Sequence, residues 1–186
     1  MGRLLLLLAL LGLGGWQLFT LDRPVAPETT LATGPGISWR HNGVRITPLQ
    51  RFELDARVLG TRSYRHDNLA TLAPVDLALG WGLMADPAVL RDIDIDQDNR
   101  AYFWRVHAAT PPRRAIEAHS ANMHMIPASR DIEKRLRAVE PGSRVTLSGW
   151  LVALDADKWH AQSSLTRFDT GPGACEIVWV EQFDVH

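Results

Sequence analysis

A single cysteine, Cys175, excludes an intramolecular disulfide and any zinc site built on paired cysteines. No cysteine lies near the N-terminus for lipid attachment, which excludes a lipoprotein. Charge of one sign is also missing. The 20 basic and 21 acidic residues leave a net charge of −1, and without Arg3 the balance is 19 against 21. Such a chain carries no electrostatic footprint for nucleic acid. There is no internal repeat, heptad run or low-complexity block, and no polar excess of the kind that keeps a chain disordered, since 46% of residues are apolar and 22% charged. At 186 residues the chain has room for one folded domain and an anchor.

The anchor is Leu4 to Leu21, LLLLLALLGLGGWQLFTL, uncharged and interrupted by polar side chains only at Gln17 and Thr20. As a helix these 18 residues would span about 27 Å, close to the hydrocarbon thickness of a bilayer. A cleaved secretory signal is the competing reading. No small-x-small pair with a permissive follower comes after the run, because Val25-Ala26 leads straight into Pro27. An uncleaved signal-anchor is therefore expected over residues 1–22. With Arg3 and the amino terminus held inside, the rest of the chain faces the periplasm from a single inner-membrane span. Residues 23–36 contain Pro24, Pro27, Pro35, Gly34 and Gly36, the composition of an extended tether.

Residues 37–186 read as one β-rich domain. Asn42-Gly43 between β-prone residues predicts a hairpin over about 37–47. Phe52, Leu54, Ala56 and Val58 alternate with Glu53, Asp55 and Arg57, the pattern of a half-buried strand. The segment PVDLALGWGLM, Pro74 to Met84, is interrupted by two glycines and reads as a close-packed loop. Asp86-Pro87 predicts a short capped helix. DIDIDQDNRAYFWRV predicts two strands around a turn at Gln97 to Arg100, with Ile93 and Ile95 on one face. Arg113 to His119 has length for one or two helical turns. After Pro127, Ser129 caps a helix on which Ile132, Leu136 and Val139 recur at helical spacing, and Pro141-Gly142 ends it. Three β-prone runs follow: RVTLSGWLVAL, KWHAQSSL and CEIVWVEQF.

A helix feeding a Pro-Gly turn and then V-x-L-x-G-x-L-V resembles, over residues 101–183, the second half of an oligonucleotide/oligosaccharide-binding (OB) barrel. The resemblance implies a helix plugging one end between the third and fourth strands, and a strand glycine at a corner. The fold class expected is thus α+β, mainly β: a small OB-like or related Greek-key barrel with one clear helix, behind a transmembrane helix. The combination SANMH, SSLTR and GPGACEIVW is also similar to that of small uncharacterised bacterial membrane-anchored envelope proteins, and this resemblance brings no activity with it.

Four groups of residues invite chemistry. The row Asp92, Asp94, Asp96, Asp98 opens like a calcium loop. Counted from Asp94, however, position six is Asn99 and position twelve Arg105, so the glycine and the bidentate glutamate are missing and a solvated strand face is the better reading. No metal or other cofactor is expected. His119 and His124, five residues apart, fit no helical zinc pair. Cys175 follows TGPGA and precedes EIVWV, where a glycine-rich loop enters a sheet. A thiol there is most simply a small core residue, but with His119, His124 or His160 as base and Asn122 as orienting amide it has the components of a Cys-His-Asn hydrolase or transferase. Finally, Trp104, Trp150, Trp159 and Trp179 all fall on predicted strands, where aromatic rows bind sugars or partner surfaces. The sequence alone favours a non-enzymatic envelope module that holds a protein, glycan or lipid-linked partner through these tryptophans. The alternative is an enzyme built on Cys175 with His124 or His119.

Overall fold

A computed structural model describes residues 37–107, 111–166 and 173–186. The anchor and tether of the sequence reading, 1–22 and 23–36, lie outside the described residues. Among the described residues no helix is long and apolar enough to cross a membrane.

The described chain is mainly β. Its strands are β1 Trp39–His41, β2 Val44–Ser63, β3 Val75–Gly80, β4 Ile93–Asp98, β5 Ala101–Val106, β6 Ser120–Pro127, β7 Arg144–Asp155, β8 His160–Gln162 and β9 Glu176–Val185. Helices are α1 Pro87–Leu90, α2 Arg113–Ala118 and α3 Arg130–Ala138. The large sheet runs β1-β2-β3-β6-β9-β7-β8, and β2 pairs with β7 as well, so the hydrogen-bonded order returns on itself through β2, β3, β6, β9 and β7. Within this ring β6 and β9 are parallel and the other neighbours antiparallel. β4 and β5 form a separate hairpin inserted between β3 and β6.

Local chemistry explains most of these elements. Asn42 and Gly43 both take positive φ, 48° and 81°, the two-residue turn whose twist matches the strands it joins. β2 reaches 20 residues because bulges at Pro48/Gln50 and Val58/Gly60 bend it, so it pairs with β7 along most of its length and with β3 near its end. The bulge is also where a proline, with no N–H for the ladder, is tolerated. Asp86 caps α1 by accepting from Ala88 N at 2.8 Å, and Ser129 caps α3 by accepting from Ile132 N at 3.3 Å. Ile132, Leu136 and Val139 are buried as their spacing predicts. Gly149 stands at a bulge in β7 where a Cβ would collide with the carbonyl of Trp179, so no other residue fits without moving β9.

Two readings need correction. Pro74 to Met84 is not a loop: β3 occupies Val75–Gly80 with every residue buried. A strand covered on both faces loses the alternation that marks a half-exposed one. Trp159 is not on a strand but in the turn before β8.

The principal core joins Val75, Leu77, Leu79, Met123, Met125, Val178 and Val180 to the apolar face of α3. A second cluster lies around Ile46, Leu72, Ile126, Leu154 and Ile177, and a third packs the β4–β5 hairpin and α2 through Ile93, Met84 and Ile116.

Candidate functional site

β3 and β6 are adjacent and antiparallel, with Asp76 opposite His124 and Ala78 opposite Asn122. Their odd members, from Val75 to Leu79 and at Met123 and Met125, enter the principal core. Strand alternation sends Asp76, Asn122 and His124 to the other face. That face is not left to water. The β4–β5 hairpin reaches over it, and all three side chains are buried, Asp76 completely.

A carboxylate with no exposure has to be paired, because desolvating an uncompensated charge costs several kcal/mol. Asp76 is held from three sides. Arg100 Nη1 donates to its Oδ1 at 2.6 Å, His124 Nδ1 stands 3.0 Å from the same oxygen, and Asn122 Nδ2 donates to Oδ2 at 3.3 Å. The histidine contact is a charge pair at hydrogen-bond distance. Gln97 completes the layer by donating to Asn122 Oδ1 at 2.7 Å, and Gly60 leaves the room it needs, as a Cβ there would be 2.7 Å from Gln97 Oε1.

Cys175 is the other neighbour of His124. Gly173, at φ 89°, turns the chain just before it; Thr170 to Pro172 of the glycine-rich approach lie outside the described residues. The thiol is half-buried, belongs to none of the core clusters, and has the Arg100 carbonyl 3.7 Å away. The expectation of a core thiol is therefore corrected: strand β9 begins one residue later, and Cys175 sits on the wall of a half-open cleft of about 890 Å³. His124, Asn122, Arg100, Tyr102, Trp104 and His160 share that wall.

Burial disfavours a charged His124, but the Asp76 carboxylate and the Cys175 thiol beside it favour the charged form more, and its pKa is pushed up to about 9. The direction of the shift favours an imidazolium between a carboxylate and a thiol. Burial likewise raises the Tyr102 phenol, whose hydroxyl shares a 3.0 Å hydrogen bond with Ser120 Oγ.

Of the residues expected to carry chemistry, the structure brings Cys175, His124 and Asn122 together. Asn122, however, orients the carboxylate and not the histidine, and Asp76 stands where the orienting residue was expected. His119 ends α2 with its Nδ1 2.6 Å from the Ala115 carbonyl, the local bond commonly made by a histidine at such a position, and it does not line the cleft. His160 lines the cleft but pairs with Asp155 at 2.9 Å. The chain matches no family model, no curated protein and no solved structure. What can be said of its chemistry therefore comes from this geometry.

Sequence reasoning missed Asp76, Gln97 and Arg100. For Asp76 a signal existed: a lone acid within the apolar run VDLALG has to find a partner if the run is buried. The tryptophans divide. Trp150, Trp159 and Trp179 gather with Trp39 against the second cluster, with Trp39 and Trp179 edge to face at 5.1 Å and the Arg51 guanidinium 5.4 Å from the Trp150 ring. Trp104 stands apart on the hairpin, 5.7 Å from the Arg113 guanidinium. The acidic row has Asp94, Asp96 and Asp98 exposed along β4. Among the described residues no group of three or more His, Cys, Asp or Glu side chains is arranged to hold a metal.

Proposed function

We propose that this chain is a cysteine-dependent acyl-transfer enzyme, a hydrolase or transferase, with Cys175 as nucleophile, His124 as its acid-base partner and Asp76 as the carboxylate that holds His124. One observation carries the reading: a half-exposed thiol and a buried imidazole are neighbours on a cleft wall, with a fully buried carboxylate 3.0 Å from the ring. A thiolate is the reactive form of cysteine, and an adjacent imidazolium favours it. In the proposed cycle the sulfur attacks a carbonyl carbon, forming a C–S bond while an electron pair moves to oxygen. The tetrahedral species collapses, and the leaving amine or alcohol takes its proton from His124. Water or an amine then attacks the thioester, giving its proton to His124 and releasing the thiolate.

The scaffold is proposed to be an OB-like barrel. Support comes from the closed order β2-β3-β6-β9-β7, the parallel β6–β9 pair, and α3 following β6 and preceding β7, the third and fourth ring strands in chain order. The proposal keeps the domain on the periplasmic side of an inner-membrane anchor, on the strength of Leu4 to Leu21. A second reading, the non-enzymatic envelope module, draws on the Trp39, Trp150, Trp159 and Trp179 cluster, whose rings are only partly covered.

The two are separated by labelling Cys175 with iodoacetamide in the native protein across pH, and by the burst of p-nitrophenol from p-nitrophenyl acetate. The enzyme reading expects fast labelling at neutral pH, slowing at least tenfold in His124→Gln, and a burst lost in Cys175→Ser while the fold survives. Slow labelling indifferent to His124, with no burst, would overturn it in favour of the binding module.

A further inference from the structure

The turn that closes the β4–β5 hairpin consists of Asn99 and Arg100, both in the left-handed region at φ 48° and 65°. Asparagine adopts that conformation readily, but arginine at the second position costs about 1–2 kcal/mol where glycine would cost nothing. Strain of this kind persists only where the surroundings overdetermine it. Here they do. The Arg100 guanidinium donates to Asp76 Oδ1 at 2.6 Å, to the Ala73 carbonyl at 2.9 Å and to both oxygens of Asp67 at 2.8 and 3.0 Å, with its Cζ 3.8 Å from the Tyr64 ring centre. Its backbone N–H donates to the Tyr64 hydroxyl at 3.0 Å. Its carbonyl accepts from Asn122 Nδ2 at 3.0 Å and lies 3.7 Å from Cys175 Sγ.

We propose that Arg100 is a positioning residue for the Cys175–His124 pair: one strained residue delivers a guanidinium to the carboxylate that holds the imidazole and a carbonyl to the Asn122 amide that bonds the same carboxylate, registering the hairpin on the reactive face. The proposal rests on Cys175 and His124 working together. Glycine would suit the turn and offer the same carbonyl, but it has no guanidinium for Asp76. Lysine would supply charge, but it lacks the planar fork that bonds Asp67 and Asp76 at once.

The electrostatic consequence has a definite sign. Beside His124 are Asp76 from β3 and Cys175 at the entry to β9, and Glu176, Arg100 and Tyr102 line the same cleft. Asp67 and Tyr64 stand behind Arg100, and farther along the cleft Arg113 pairs with Glu117 and His160 with Asp155. Among the described residues, Arg100 is the one cation besides His124 that bonds Asp76 directly. Removing it leaves the buried Asp76 charge balanced by the histidine alone, and the less neutralised carboxylate disfavours a second negative charge on the nearby sulfur.

The experiment is the pH profile of native Cys175 alkylation by iodoacetamide in the full chain, for wild type, Arg100→Ala, Arg100→Lys and His124→Gln, with circular dichroism confirming the fold. Arg100→Ala is expected to move the profile up by about one pH unit, an approximately tenfold slower reaction at neutral pH. Methylguanidinium ion should recover part of the rate, and Arg100→Lys should fall between. If Arg100→Ala is unfolded, Arg100→Lys alone decides, because a turn residue with no role at the thiol leaves its profile unmoved. A wild-type profile in both Arg100 variants, with His124→Gln still shifted, overturns the role of Arg100 and leaves the Cys175–His124 pair standing. A wild-type profile in His124→Gln overturns both.

Discussion

The two faces of the β3–β6 ladder are both buried and are built in opposite ways. Toward α3, Val75, Leu77, Leu79, Met123 and Met125 are apolar and need only shape and volume. Toward the hairpin, Asp76, Asn122 and His124 are polar, and each depends on a partner from elsewhere in the chain: Arg100, Gln97 and Cys175. An apolar face is stabilised by excluding water from whatever lies against it, so many sequences satisfy it. A buried polar face is stable only when complete, so losing one member exposes the rest to the full cost of desolvation. Such a layer is weak evidence for a stability role and better evidence for a chemical one.

The comparison is broken most severely at Asp76. Asp76→Ala leaves Arg100 with Asp67 alone and the buried His124 without the carboxylate that keeps it charged, and should cost about 3–5 kcal/mol in urea unfolding. Leu77→Ala, one residue along on the apolar face, should cost about 2–5 kcal/mol through lost burial and a cavity. The two differ in kind, since only the Asp76 variant should change the pH dependence of stability. If Asp76→Ala unfolds no more easily than an exposed β4 variant such as Asp96→Ala, the buried layer is not the interdependent unit described.

That pH dependence has a sign fixed by His124. Its folded pKa, about 9, lies above its unfolded value near 6.5. The stability it contributes is therefore fully present below pH 6.5 and is lost as pH rises through 9, a loss of about 3 kcal/mol at most. Denaturant midpoints should fall across that window in the wild type. In His124→Gln this part of the slope should vanish, and an unchanged slope would show that His124 is not the titrating group.

On the apolar face, Met125→Leu conserves volume and should cost less than about 1.5 kcal/mol. Asn122→Leu, similarly close in size but on the polar face, should cost more, because Asp76 Oδ2, the Arg100 carbonyl and Gln97 each lose a partner. Equal costs would erase the distinction between the faces. The smallest effect is expected at Ser129→Ala, where loss of the α3 cap should cost about 1 kcal/mol by thermal or urea melting and leave Cys175 labelling unchanged.

The sequence by itself determined the elements whose instructions are local. Asn42-Gly43 makes its own turn, Asp86 and Ser129 make their own caps, Phe52 to Val58 carries its own alternation, and the Ile132, Leu136, Val139 stripe marks a helix face before any partner is known. It also supplied two of the three members of the proposed triad, because histidine and cysteine are scarce enough to be noticed. Only the tertiary structure decided the remainder. β3 looked like a loop because both its faces are covered, and the second cover is a hairpin that closes after it in sequence. Asp76 was invisible as a site residue because a carboxylate becomes informative only once it is known to be buried, and its burial depends on contacts with residues 24 and 48 positions away. Arg100 looked like an ordinary turn residue, since its guanidinium and its carbonyl acquire meaning only from what the folded chain sets beside them. Local propensity is carried by neighbours along the chain, whereas desolvation and charge pairing are properties of neighbours in space, and this chain keeps its candidate chemistry in the second kind.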